Sequence, residues 1–94
     1  MIVKVRYYAM LSDAAGKREE DIELPEGSTV LDLVHKLIDR YGQRLRDYVY
    51  DEEEQLLNYM KFSVNEVNIL SLEGFDTLLG DGDLVQVIPP IGGG

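Results

Sequence analysis

A chain of 94 residues has room for a single domain, and its 45% hydrophobic and 29% charged residues are those of a folded globular unit rather than a disordered one. The absence of cysteine excludes disulfides, thiolate metal sites and a cysteine nucleophile, and a net charge of −9 opposes binding to phosphate backbones, so nucleic acid is excluded as a partner. The same charge suits steering toward a basic partner. No apolar run approaches the length of a membrane span, and Met1-Ile2-Val3-Lys4 leads straight into strand-like sequence without a signal peptide, so no membrane association and a cytoplasmic location are expected.

Taken in chain order, Ile2 to Ala9 reads as a strand, with Val3, Val5 and Tyr7 alternating with Lys4 and Arg6. Leu11 to Arg18 reads as a loop too long for a tight hairpin, with room for a short helical turn. Ile22 and Leu24 alternate with Asp21 and Glu23 in a second strand closed by Pro25-Glu26-Gly27, which completes a first hairpin. Thr29 and Asp32 form a short capping pair before Val30, Leu33, Val34, Leu37, Ile38 and Tyr41, whose spacing predicts the main helix, stopped by a left-handed Gly42. Asp32, Lys36, Arg40 and Arg44 mark its charged outer face.

Gln43 to Met60, with the acidic run Asp51 to Glu54, reads as a variable surface loop. Phe62 to Ile69 returns to strand character around a turn at Asn65-Glu66, and Gly80-Asp81-Gly82-Asp83 is a strong turn before the nearly all-apolar strand Leu84 to Ile88. Such a strand belongs in the centre of a sheet, and a parallel position beside the first strand sends the two termini to opposite ends. An α+β fold follows, with a mixed sheet packed against one main helix.

The sequence then ends on Pro89-Pro90-Ile91-Gly92-Gly93-Gly94. Glycines at a chain end are by themselves often only a frayed terminus. Two prolines between strand and glycines argue otherwise, because they fix φ and turn the chain out of the ladder, leaving a thin tip that reaches about 13 Å and fits a narrow cleft. The organisation expected is a domain over 1–88 and a flexible tail over 89–94.

Tyr7-Tyr8-Ala9-Met10-Leu11 with Gly16, the helix opening Val30-Leu31-Asp32-Leu33, the pair Val64-Asn65, and Leu79 to Val85 running on through the diproline to Gly94 carry a specific likeness. In these stretches the chain resembles the MoaD/ThiS family of ubiquitin-like sulfur carriers, with the β-grasp fold. The resemblance spans nearly the whole chain. The length of Gln43 to Met60 leans toward a MoaD-like or dual-purpose member, and Glu66 stands where the family often has glycine.

The resemblance implies that the Gly94 carboxylate is adenylated by a ubiquitin-activating-enzyme-like adenylyltransferase and converted to a thiocarboxylate. Gly93 would allow close approach to the nucleotide, and Gly92 stands at the family's variable position. A carboxylate with pKa ~3.5 is ionised and inert toward nucleophiles at neutral pH, so ATP, used by the activating enzyme, must supply a leaving group. No cofactor would be bound permanently. An apolar sheet surface beside the tail would include Tyr8, Val67 and Ile88, each equally readable as an ordinary half-buried sheet residue, and would continue into Pro89, Pro90, Ile91 and Gly92.

The leading expectation is the non-catalytic small subunit of molybdopterin synthase, donating sulfur to a larger catalytic subunit in molybdenum-cofactor biosynthesis. The alternatives are a ubiquitin-like modifier joined through Gly94 to lysines of target proteins, and a β-grasp binding module with an inert tail. No catalytic constellation of the chain's own stands out. His35 reads as a surface or boundary residue, Tyr48, Tyr50 and Tyr59 as covers of core edges, and Asp81 and Asp83 as turn formers rather than metal ligands.

Overall fold

The computed structural model describes residues 1–50, 53 and 60–89, without the side chain of Tyr48. The elements are β1 (Ile2–Tyr7), α1 (Met10–Ala15), β2 (Glu19–Glu23), α2 (Val30–Tyr41), α3 (Gln43–Val49), β3 (Lys61–Val64), β4 (Val67–Asn68) and β5 (Leu84–Ile88), with 3-10 turns at Ile69–Ser71 and Gly74–Asp76. They form one mixed sheet of order β2-β1-β5-β3-β4, covered by α2 in the β-grasp manner. The valine-rich β5 takes the centre, parallel to β1 (Val5 beside Val85, Tyr7 beside Val87) and antiparallel to β3. Among the described residues no helix is long and apolar enough to cross a membrane.

The alternation in β1 sorts its faces: Val3, Val5 and Tyr7 are buried, while Ile2 and Lys4 are exposed. Val30, Leu33, Val34 and Leu37 of α2 meet them together with Ile22, Phe62, Val85 and Val87. Each such aliphatic side chain contributes about 1.5–3 kcal/mol by leaving water. The capping pair is present in both directions: Asp32 N–H donates to Thr29 Oγ1 at 3.3 Å, and Thr29 N–H donates to Asp32 Oδ2 at 2.9 Å.

Three expectations need correction. The first strand ends at Tyr7 rather than Ala9, because Ala9 adopts φ 51°, ψ −130° and turns the chain out of the ladder. The short helical turn for which Leu11 to Arg18 has room is α1, which buries Leu11 and Ala15. Gly42 has positive φ but ψ −155°, so it redirects the chain into α3 instead of closing α2 with a left-handed turn. The loop read from Gln43 therefore begins with a helix, anchored by Leu45 and Val49 one turn apart. The acidic run, apart from Glu53, and Tyr59 lie outside the described residues.

β3 and β4 pair antiparallel through Val64 and Val67, so only Asn65 and Glu66 span the turn, with φ of 50° and 71°. Two consecutive positive φ values are those of a type I′ hairpin turn, which the usual glycine satisfies without strain. Glu66 holds that conformation with a Cβ, at an intrinsic penalty of about 1–2 kcal/mol that the greater unfolded-state freedom of glycine partly offsets. Glu66→Gly is therefore expected to stabilise the fold by about 0.5–1 kcal/mol, seen as a higher thermal midpoint. A lower midpoint would show that the exposed Glu66 side chain makes a contribution larger than its backbone strain.

Candidate functional site

The parallel pairing of β1 and β5 brings their C-terminal ends together, and from that end Pro89, buried against the body, leads into the glycine-ending segment. Tyr8 follows β1 and Ile88 ends β5, at neighbouring positions one step beyond the Tyr7–Val87 pair; both are half-buried. Val67 does not join them. It lies two strands away on β4, and its pairing with buried Val64 puts it on the helix-covered side, at the rim. Pro90, Ile91, Gly92, Gly93 and Gly94 lie outside the described residues.

The uncovered face carries polar contacts beside its apolar residues. Ser63 Oγ donates to Gln86 Oε1 at 2.9 Å, and Gln86 Nε2 donates to the Tyr8 hydroxyl at 2.7 Å. Beside them the Arg6 guanidinium is held above its ordinary pKa first by Tyr8 and then by Glu19. Arg6 Nε donates to Glu19 Oε2 at 3.2 Å. Polar side chains thus stand on β3, β5, β1 and β2 in turn, with Leu84 and Ile88 as half-buried apolar margins. The signal for them is one polar residue, Gln86, in an otherwise apolar strand.

The opposite end of the sheet is fastened by the turn before β5. Asp81 Oδ1 accepts the Ile2 N–H at 2.7 Å, and Asp83 Oδ2 accepts the Gly80 N–H at 2.7 Å. Asp83 Oδ1 also accepts from Asn65 Nδ2 at 2.9 Å, while Asn65 Oδ1 accepts the Leu84 N–H at 3.0 Å. Two motifs far apart in sequence are therefore one hydrogen-bonded lock, which fixes the register of β5 and hence the place where Pro89 emerges. Asp83→Ala removes two of these bonds and is expected to destabilise the fold by about 1–2 kcal/mol, read as a lower urea midpoint. An unchanged midpoint would mean that water replaces Asp83 without loss.

His35 is exposed, with its ring 2.9 Å from the Tyr50 hydroxyl and stacked on that ring, and Tyr50 packs partly against the core. Neither sits near the sheet end. A cleft of about 770 Å³ runs between the Pro25-Glu26-Gly27 turn and α2 and also lies apart from it. Among the described residues no group of three or more histidine and carboxylate side chains is placed to hold a metal ion.

The ThiS family model matches residues 5–94. The chain belongs to this family of ubiquitin-like sulfur carriers. It is 31% identical to the molybdopterin synthase sulfur carrier subunit of Mycobacterium tuberculosis, over 98% of this chain and 96% of that one. It is 28% identical to small archaeal modifier protein 3 of Haloferax volcanii, over the whole of both chains. The solution structure of small archaeal modifier protein 1 from Methanosarcina acetivorans superposes with a TM-score of 0.80 at 35% identity, covering 99% of this chain and 96% of that one.

Proposed function

We propose that Gly94 is the sulfur-carrying residue of this ThiS-family chain, and that the chain serves as the small, sulfur-donating subunit of molybdopterin synthase. A Gly94 carboxylate oxygen attacks the α-phosphorus of ATP on the activating enzyme and pyrophosphate departs. A hydrosulfide-level donor then attacks the acyl carbon of the adenylate, AMP leaves, and a thiocarboxylate remains. The observation that carries this reading is the exit of Pro89 from the central strand, which supports delivery of the following residues away from the sheet into a partner. The likeness to the M. tuberculosis sulfur carrier subunit supports the choice of acceptor.

The thiocarboxylated protein, mixed with the large synthase subunit and its sulfur-free pterin substrate, is expected to return to the carboxylate as the pterin gains sulfur. Thiocarboxylate left intact by an active large subunit would contradict this assignment. A second reading, conjugation of Gly94 to target lysines, is favoured by the likeness to the archaeal modifier proteins. It uses the same adenylate with a lysine amine as nucleophile, and lysine-linked adducts resistant to denaturing gels and absent from a Gly94 deletion distinguish it.

A further inference from the structure

Most cations of this acidic chain are committed within the fold: Arg6 to Glu19, Lys17 and Arg40 to Glu20, Lys36 to the Glu23 carbonyl, and Arg46 over the Tyr50 ring. Lys4, Arg44, Arg18 and Lys61 are not, and the last two stand at one end of the sheet. Both are exposed, and among the described residues neither side chain makes an ion pair or hydrogen bond. Their positions are related. Arg18 is held beside the end of β1 by its carbonyl, which accepts the Tyr7 N–H at 2.8 Å, and it lines a cleft of about 560 Å³ with Arg6, Tyr8 and Ala9. Lys61 pairs with Ile88 on the other side of β5.

Across the order β2-β1-β5-β3, with strands about 4.8 Å apart, these two of the four uncommitted cations bracket the exit of Pro89 over a span of about 14 Å. Ala9, in the same cleft, carries a backbone conformation rare for a residue with a Cβ, and such strain collects at recognition sites. The net charge of −9 repels an acidic surface from the chain as a whole.

We propose that Arg18 and Lys61 are the docking cations of the sheet end, and that the adenylating protein receiving the tail has carboxylates on both sides of its channel mouth. The partner is thus acid-rimmed, although the net charge of the chain taken alone suits a basic one. Repulsion over the rest of the body and attraction at these two points orient the encounter so that the tail enters first. The inference rests on the carrier reading above.

The test compares adenylation by the cognate activating enzyme, followed as pyrophosphate release, for the wild type, Arg18→Glu/Lys61→Glu, and Lys4→Glu/Arg44→Glu. The last changes two exposed cations, one within β1 and one on α3, and alters net charge equally. The first pair is expected to lower kcat/KM about tenfold at low salt, through KM, with the gap closing as salt rises, while the second pair stays near wild type. Equal rates for the wild type and the first pair, or equal losses in both pairs, would overturn the proposal. A wild type that an active enzyme never adenylates removes the carrier reading and this inference with it, whereas an adenylated wild type indifferent to the reversal removes this inference alone.

Discussion

Replacing Glu20 by alanine is expected to destabilise the fold by about 3 kcal/mol, the largest effect of any single polar substitution in the described chain. Glu20 occupies the core-facing register of β2, opposite Val5 and in step with Ile22. Its side chain is only 7% exposed. The carboxylate accepts from the Tyr7 hydroxyl at 2.7 Å, from the Tyr41 hydroxyl, and from Arg40 Nη1 at 2.7 Å, with Lys17 Nζ at 3.6 Å. The cluster ties β2 to β1 and to the end of α2. Its loss strands the hydroxyl of Tyr7, a residue 3% exposed, without an acceptor.

The same cluster sets a pH dependence. Burial pushes the Glu20 carboxyl up, but the Tyr41 and Tyr7 hydroxyls, the Arg40 guanidinium and the Lys17 charge together outweigh it and hold the carboxyl below its ordinary value. A pKa lowered in the folded state means that the unfolded chain binds the proton first. The stabilisation is therefore complete above the ordinary carboxylate range, about pH 4.3, and is lost as pH falls through the lower folded value. Glu20→Gln keeps an acceptor for the phenols and removes this acid loss.

Tyr7 shifts the opposite way, its phenol raised first by burial and then by the Glu20 carboxylate. Its contribution is present below about pH 10 and lost as pH rises through its folded value, a loss that Tyr7→Phe removes. Thermal midpoints across pH check both arms. A Glu20→Ala variant within about 0.5 kcal/mol of wild type, or equal acid slopes for wild type and Glu20→Gln, would reduce the cluster to a solvated surface pair.

The second large effect is expected at the other end of the chain. Gly94→Ala places a methyl group beside the reacting carboxylate, where a misplacement of about 1 Å lowers a rate by about 100-fold, and Gly93→Ala narrows the fit one residue earlier. Both residues lie beyond the diproline that ends the last strand pattern of the sequence. Both variants are therefore expected to keep the wild-type thermal midpoint while adenylation kcat/KM falls about 100-fold for Gly94→Ala, and deletion of Gly94 is expected to abolish the reaction. An alanine variant adenylated within about threefold of wild type would mean that the partner's channel tolerates a Cβ and that glycine is not required there.

Sequence pattern alone reaches a good part of this fold, for reasons that are local. Helix α2 is legible because four core-facing residues recur at helical spacing behind a Thr29–Asp32 cap, and the central place of β5 because its residues are almost all apolar. Helix α3, seven residues long, escapes because two buried residues, Leu45 and Val49, are too few to establish a period, and for the same reason α1, with Leu11 and Ala15, shows only as room for a short helical turn.

The polar devices escape for a different reason. Glu20 meets Tyr7 and Tyr41 at separations of 13 and 21 residues, and Tyr8 meets Gln86 at 78, so no window along the chain contains both partners. A carboxylate at a core-facing strand position also contradicts the alternation that defines the strand. For the candidate site, the sequence points to Tyr8 and Ile88 together, but the face assigned to Val67 depends on a hairpin register that only the pairing reveals.

The measurement that bears most directly on the carrier reading is the intact mass of the purified protein after incubation with its activating enzyme, ATP and a sulfur donor. The predicted result is a gain equal to the exchange of one oxygen for sulfur, present in the wild type and absent when Gly94 is deleted. An unchanged mass with an enzyme demonstrably active on another carrier would contradict the carrier reading and leave a β-grasp binding module whose tail is inert.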